Sequence, residues 1–257
     1  MTSCREGTLS AAASGKMIEM SARNDIRPNA ITWHSQIARD FDAKYTTSPA
    51  FRERLAVWDG LISAYCPPDG DVLDAGCGSG ALSALVQPRC KSVFGFDASP
   101  EMVTLAEARR VSEGWGNAAF KIAAMEQQGA LDGRSFDLIM CSSVLEYLDD
   151  YWRAIDWLAG ALKPGGVMLF SVANGSSLYR LAERTAFVVT GKPAYFAHVR
   201  HLPSVRAVKR GLNRRGFAVM HRAFYGAPRA MTALSLPLHM RRFSDPLFVI
   251  ACRKPIT

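Results

Sequence analysis

Apolar residues recur along this chain with two different periods. Residues 1–29 are rich in Ser, Ala and Thr and hold no sustained apolar period, so they read as a flexible arm. From Trp33 the texture changes. Trp33, Ile37 and Phe41 fall every four residues, the spacing of an amphipathic helix. Ser48-Pro49 opens a second helix that carries Phe51, Leu55, Trp58 and Ile62 on one face, and Pro67-Pro68-Asp69-Gly70 stops it. Short apolar runs then alternate with helical ones. Strands are predicted at 71–75, 92–97, 119–123, 136–141 and 166–172, with helices at 80–87, 100–110 and 150–162. This is the rhythm of an open, mostly parallel sheet with helices on both faces. Lys163-Pro164-Gly165-Gly166 marks a sharp helix stop. A long irregular stretch, 173–203, follows. A basic helix at 204–215, starting at Ser204 and stopping at Gly216, and strands at 217–223 and 246–252 complete the sheet. The basic segment is not an independent domain, because its strands are needed by the same sheet.

The first strand runs into a glycine-dense turn, "VLDAGCGSG" at 72–80. Ligands of parallel sheets sit at the carboxyl ends of the strands, and Gly76, Gly78 and Gly80 occupy such a place. The turn reads GxGxG, not the dinucleotide pattern GxGxxG. Asp74 stands at the strand end, where it would repel a pyrophosphate. A cation at about 4 Å would instead gain roughly 4 kcal/mol at an effective dielectric near 20, before desolvation. S-adenosylmethionine carries an ammonium and a sulfonium and no phosphate, so it suits Asp74 better than NAD. "VFGFDAS" ends a second strand in Asp97. A carboxylate there can accept from both ribose hydroxyls. It can also cap the next helix, although Ser99 is the better cap.

These segments, with "VFGFDASPEMVTLAEAR", "SFDLIMCSSVLEYLDD" and "LKPGGVMLFSVAN", resemble in order and content the class I S-adenosylmethionine-dependent methyltransferases, in particular the small-molecule type that includes the ubiquinone-pathway O-methyltransferases. The resemblance covers roughly 71–174, and the strands at 217–223 and 246–252 match that family's last two. It implies an α/β fold: a doubly wound, Rossmann-like, seven-stranded and mostly parallel sheet with the last strand antiparallel. It divides residues 30–257 into a helical lid (30–68), a cofactor-binding core (71–172), an acceptor-side insertion (173–216) and closing strands (217–257). Under the resemblance, Asp74, Gly76, Cys77 and Gly78 line the methionyl end of the cofactor. Asp97 holds the ribose, with Ala98 and Met102 on the adenosine. Ala124, Met125 and Glu126 meet the adenine; many members are acidic where this chain has Ala124, so the Met125 backbone, Glu126 or water must serve the amino group. Cys141 and Ser142 face the methyl group. Tyr45 and Arg54, from the lid, reach the cofactor carboxylate, with Arg52 a close rival of Arg54.

An oxygen acceptor needs a base poised near neutral pH. His198 and His201, in "YFAHVRHL", fall where the resemblance places acceptor-binding elements, and histidine has the fitting pKa. Tyr147 sits where relatives often carry histidine, and either orients an acceptor or packs. No acid or cysteine lies near the two histidines, so no metal ligand set is assigned.

Charge adds a question about partners. The chain's 257 residues carry a net +8, divided as −5 over residues 1–175 and +13 over 176–257. Within "SSLYRLAERTAFVVTG", Leu178, Leu181, Thr185 and Val188 or Val189 share a helical stripe beside Arg180 and Arg184. Such a helix packs as core or lid, or lies on anionic membrane to deliver a lipophilic acceptor. On the helix at 204–215, Val205, Val208 and Leu212 face inward and Arg206, Lys209, Arg210, Arg214 and Arg215 outward, available to an acidic substrate or to phosphates. Six cysteines without a CxxC pair, and no apolar signal stretch, lead us to expect a cytoplasmic protein with reduced thiols. The expected activity is methyl transfer to oxygen or nitrogen of a small biosynthetic acceptor. An RNA methyltransferase using the basic segment, or a non-catalytic cofactor-binding protein of the same fold, are the alternatives.

Overall fold

A computed structural model describes residues 30–228 and 240–256. The arm expected at 1–29 lies outside the described residues. Three helices come first, α1 (Ala30–Gln36), α2 (Ala38–Thr47) and α3 (Pro49–Tyr65); the four-residue apolar period from Trp33 is thus split at Ile37. Strands and helices then alternate: β1 (Asp71–Ala75), α4 (Ala81–Val86), β2 (Ser92–Asp97), α5 (Pro100–Ser112), β3 (Ala118–Ile122), β4 (Phe136–Ser142), α6 (Tyr151–Ala161) and β5 (Leu162–Ala173). The chain closes with α7 (Leu178–Thr190), α8 (Val205–Arg214), β6 (Ala218–Tyr225), α9 (Arg241–Ser244) and β7 (Leu247–Arg253).

The seven strands form one sheet in the order β3-β2-β1-β4-β5-β7-β6, and β7 runs antiparallel to both its neighbours. This is the seven-stranded, last-strand-antiparallel sheet that the family resemblance implies. Order reverses beside β1, which pairs in parallel with β2 on one side and β4 on the other. The carboxyl ends of β1 and β4 therefore border a crevice that no crossover covers, the place where such sheets bind ligands.

Two cores, one per face, hold these strand ends in place. Trp58, Leu61 and Ile62 of α3 pack with Val72, Leu138, Met140 and Leu169. Ile155 and Leu158 of α6 and Val208 and Leu212 of α8 pack on the opposite face with Leu73, Ile139 and Phe170. Local chemistry sets the helix ends. Asp150 accepts from the backbone N–H of Trp152 and Arg153 (2.9 and 3.2 Å), so α6 starts at Tyr151.

The stretch 173–203 is not irregular throughout. Ser177 caps α7 by accepting from the Arg180 N–H at 3.2 Å, and Gly191, left-handed at φ 70°, ends it. The apolar stripe along α7 does not pack as core. Leu178, Leu181, Val188 and Val189 are 58–78% exposed, whereas Arg180 is buried. The helix turns Arg180 inward and these leucines and valines outward, the reverse of the usual amphipathic placement of such residues. No helix of the described residues is long and apolar enough to cross a membrane.

Candidate active site

Beside the order reversal lies a cavity of about 1060 Å³, walled by the lid helices, the glycine turn, the ends of β2 and β4, and α7. The turn is bonded to its neighbour strand: the Gly76 and Cys77 N–H groups both donate to the Phe96 carbonyl (2.8 and 2.9 Å). Gly76 adopts φ 72°, and a Cβ there would stand 2.3 Å from Cγ2 of Val144, so only glycine lets the turn approach the loop after β4. Asp97 ends β2 with both oxygens engaged, Oδ2 accepting from the Gly78 N–H and Oδ1 from the Ser99 N–H, each at 2.9 Å. Ser99 itself caps α5, accepting from the Met102 N–H, so Asp97 is left to face the cavity.

Asp74 is almost fully buried, and its Oδ2 accepts from the Ser83 hydroxyl at 2.6 Å. Burial pushes its pKa up to about 6, against the Ser83 hydrogen bond, which favours the carboxylate, and with help from the charge of Asp97. Burial also raises Asp97, opposed by its two backbone donors. Neither acid has an ion-pair partner among the described residues. Two neighbouring acids on a cavity wall, neither of them in a salt bridge among the described residues, suit a cationic ligand that also offers hydroxyls.

Helices α2 and α3 form the other wall. Arg54 of α3 is buried, donates through Nη2 to the Ser142 Oγ (2.7 Å) and carbonyl (3.2 Å), and leaves Nε without a partner. Tyr45 lies with Phe41 and Phe51 in a cluster of edge-on rings, and the Arg54 guanidinium stands 5.9 Å from the Tyr45 ring centre. A buried guanidinium in a residue that lines the cavity fits a carboxylate. The Arg54 guanidinium, the two acids and the glycine turn together match the functional groups of S-adenosylmethionine.

Most residues assigned to the cofactor line this cavity: Tyr45, Arg54, Asp74, Gly76, Cys77, Gly78, Asp97, Ala98, Met102, Ala124, Met125 and Ser142. Two do not. Cys141 is fully buried in the core beside Ala75, Ile139 and Phe170, because successive residues of β4 point to opposite faces and Ser142 takes the cavity side. Glu126 turns away, at φ 63°, and pairs with Arg153.

The proposed bases divide as well. Tyr147 lines the cavity, in the turn Leu145–Tyr147. His198 and His201 do not line it. The His198 ring packs 5.2 Å from Trp33, and His201 packs on Tyr151 and bonds the Asp149 carbonyl through Nε2 at 2.9 Å. Their segment still forms part of the wall, through Val199 and Arg200. The backbone N–H groups of Arg200 and His201 both donate to the Glu146 carbonyl (2.8 and 3.3 Å), fastening the turn that carries Tyr147.

Three further cavity residues escaped the sequence reading. His34 bonds the Ala30 carbonyl through Nδ1 at 2.8 Å and packs 5.0 Å from Tyr147; burial lowers its pKa, so the ring favours its neutral form. Arg180 enters from α7, donating to Glu183 Oε2 and the Pro246 carbonyl (3.0 Å each) and to the Tyr195 hydroxyl, with Nε unpartnered. Glu146 is the third. It is 3% exposed, its Oε2 has no partner, and burial pushes its pKa up to about 7 despite the favourable charges of Arg180 and Arg54. A buried carboxyl that titrates near neutrality, in a residue lining the cavity, suits proton transfer. In the sequence it was one acid among several in "VLEYLDD", and only burial distinguishes it. The preceding Ser143 holds the loop at φ 57°, an uncommon backbone for a side-chain-bearing residue that recurs at functional sites.

Comparison with known proteins agrees with this geometry. A family model described as "Methyltransferase domain" matches residues 49–222. A ubiquinone biosynthesis O-methyltransferase of Xanthomonas axonopodis pv. citri is 33% identical over 114 residues, covering 44% of this chain and 47% of the relative. A malonyl-[acyl-carrier protein] O-methyltransferase of Serratia marcescens is 29% identical over 164 residues, covering 63% and 60%. The chain spans about half the length of the ubiquinone-pathway relatives it matches. Among solved structures, the N-methyltransferase NodS of Bradyrhizobium japonicum in complex with S-adenosyl-L-homocysteine superposes with a TM-score of 0.60 at 20% identity, over 92% of this chain and 97% of that one, a likeness of fold.

Proposed function

The chain belongs to the methyltransferase-domain family, and on that footing we propose that it methylates an oxygen or nitrogen of a small biosynthetic molecule, with Glu146 taking the acceptor's proton. S-adenosylmethionine, when bound, supplies the methyl group on a sulfonium that leaves as a neutral thioether. Asp97 accepts from the ribose hydroxyls, Arg54 donates to the carboxylate, and Asp74 with the glycine turn sets the electrostatics of the cationic end. The remaining chemistry is alignment and removal of one proton. Glu146 is the observation that carries the acceptor half: it lines the cavity, and burial brings its carboxyl near neutrality, where it can take the proton of a hydroxyl or an ammonium. Tyr147, Tyr179 and Tyr195 give the same end of the cavity flat apolar surfaces with polar tips, which suits a phenol or quinone precursor.

Two observations speak for a small acceptor over RNA. None of the outward cations of α8 (Arg206, Lys209, Arg210 and Arg214) lines the cavity, nor does Arg215 just after it, which is already engaged, bonding Asp156 at 2.6 Å and lying 4.2 Å from the Trp152 ring centre. The outward apolar face of α7, with Arg184 and Lys192 beside it, supports a lipophilic acceptor taken from an anionic membrane surface.

The test is label transfer. Purified protein receives S-adenosylmethionine with a labelled methyl group, together with dihydroxybenzoates, polyprenylated phenols and aromatic amines, or with bulk tRNA. We expect label in the organic-soluble fraction of a phenol. Label in acid-precipitable RNA would replace this reading with the RNA one, and tight S-adenosylhomocysteine binding without transfer to any acceptor would favour a non-catalytic protein.

A further inference from the structure

We propose that Cys66 and Cys90 are a reactive thiol pair that a small-molecule disulfide converts to an internal disulfide, stapling the segment of chain that contains the glycine turn. The inference does not depend on the acceptor or on the reaction at the cavity.

Cys66 follows the last turn of α3, and Cys90 ends the short helical turn Gln87–Arg89. Each thiol is the first influence on the titration of the other, so the two face one another. The Cys66 Sγ also lies 3.9 Å from the Arg89 carbonyl, against the residue that precedes Cys90. The backbone around the pair is pinned from two directions. Lys91 and Ser92 donate to the Gly70 carbonyl (3.1 and 3.4 Å), joining the loop after Cys66 to the loop after Cys90. Asn117 Nδ2 donates to the carbonyls of Gln87 and Cys90, both at 3.1 Å. The Cys66 thiol thus lies against the backbone that carries Cys90, and both loops are held, which suits a disulfide, a bond that tolerates little backbone movement.

Exposure and charge separate this pair from the other described cysteines. Cys66 and Cys90 are half-buried, whereas Cys77, Cys141 and Cys252 are buried. Burial pushes those three thiols up and keeps them protonated. The thiol of Cys90 and the charge of Arg89 instead lower Cys66, while the thiol of Cys66 raises Cys90. Cys66 is therefore the attacking sulfur.

The exchange balances with glutathione disulfide as oxidant. The Cys66 thiolate attacks one glutathione sulfur, forms a mixed disulfide and expels one glutathione thiolate. Cys90 loses its proton to solvent and attacks the Cys66 sulfur, expelling the second. Two protein thiols become one disulfide, and one glutathione disulfide becomes two thiols.

Topology sets the consequence. Cys66 lies five residues before β1, and Cys90 two residues before β2. Both therefore sit at the amino edge of parallel strands whose carboxyl edge carries the cavity. The five residues of β1 put roughly 15 Å between bond and turn. The closed loop contains β1, the glycine turn and α4, so the bond removes freedom from the unfolded chain in the segment that builds the cofactor cradle, without entering the cavity.

The test uses the full chain, first reduced and then exposed to glutathione disulfide at mildly alkaline pH. Peptide mapping is expected to find a Cys66–Cys90 bond, with a melting temperature raised by roughly 5 °C and restored by dithiothreitol. Calorimetric affinity for S-adenosylhomocysteine should stay within about twofold, the behaviour of a staple on the far edge. The double variant Cys66→Ser/Cys90→Ser should keep its reduced melting temperature and lose the response to oxidant. Glutathione adducts that persist on Cys66 without resolving, a bond that links either residue to Cys4, or thiols that do not react would each overturn the proposal.

Discussion

Glu146→Gln should make the protein more stable as pH rises, while it impairs methyl transfer. The Glu146 carboxyl moves from 4.5 to about 7, with burial as the first cause. The folded chain therefore holds this proton more tightly than the unfolded chain. That contribution to stability is fully present below pH ~4.5 and is lost as pH rises through ~7, above which a charge is buried. Glutamine cannot ionise, so the variant keeps what the parent loses. Between pH 5 and pH 8 the linkage for these two pKa values amounts to about 2.5 kcal/mol. The amide also leaves a polar atom unpartnered, at roughly 1–3 kcal/mol. That offset is the same at both pH values and cancels in the comparison, as do the titrations of Asp74, Asp97 and His34, which both proteins share. Urea unfolding of ligand-free parent and variant at pH 5, 6, 7 and 8 measures the difference directly. The stability gap should open in favour of the glutamine variant by about 2.5 kcal/mol across the range, or roughly 5–10 °C in melting temperature. A gap independent of pH would overturn this account: Arg180, Arg54 and the Tyr147 environment would then be holding the group in one state throughout, and Glu146 would not be a base poised near neutrality. Transfer by the parent should rise through pH ~7 as the carboxylate forms, and the variant should lose that limb.

Two other substitutions test the cofactor half. Asp97→Ala should weaken S-adenosylhomocysteine binding by more than about tenfold in calorimetry, or about 1.4 kcal/mol, with far-ultraviolet circular dichroism unchanged; parental affinity would remove Asp97 from the site. Gly76→Ala should destabilise the chain by roughly 2–4 kcal/mol, because its Cβ meets the stiff, β-branched Val144 at 2.3 Å and its φ is 72°; pairing it with Val144→Ala should recover the steric part, and a neutral single variant would show that the turn relaxes freely.

The legibility of this protein followed the range of the interactions involved. Periods of two and of nearly four residues are local, so strands, crossover helices and the capping residues Ser99 and Ser204 could be read from neighbours in the chain. The turn chemistry was local too: three glycines, with Asp74 two residues before the first and Asp97 at the next strand end, place a cation-tolerant cradle at one edge of a sheet. Other features depended on which segments meet. Arg180 reads as one cation on a basic helix, yet α7 lies against the cavity and turns that residue inward and its leucines outward. His198 and His201 have the right chemistry, but Trp33 and the Asp149 carbonyl engage them away from the cavity wall. Glu146 carries no sequence mark at all; desolvation raises its pKa, and desolvation exists only once β4, α7 and the lid have enclosed it. Residue order alone specified the sheet and the cofactor cradle, because those rest on backbone geometry over a few residues. Which acid is starved of water and solvating partners was settled only by the folded chain, because a side chain's electrostatic environment is the sum of everything that packs around it.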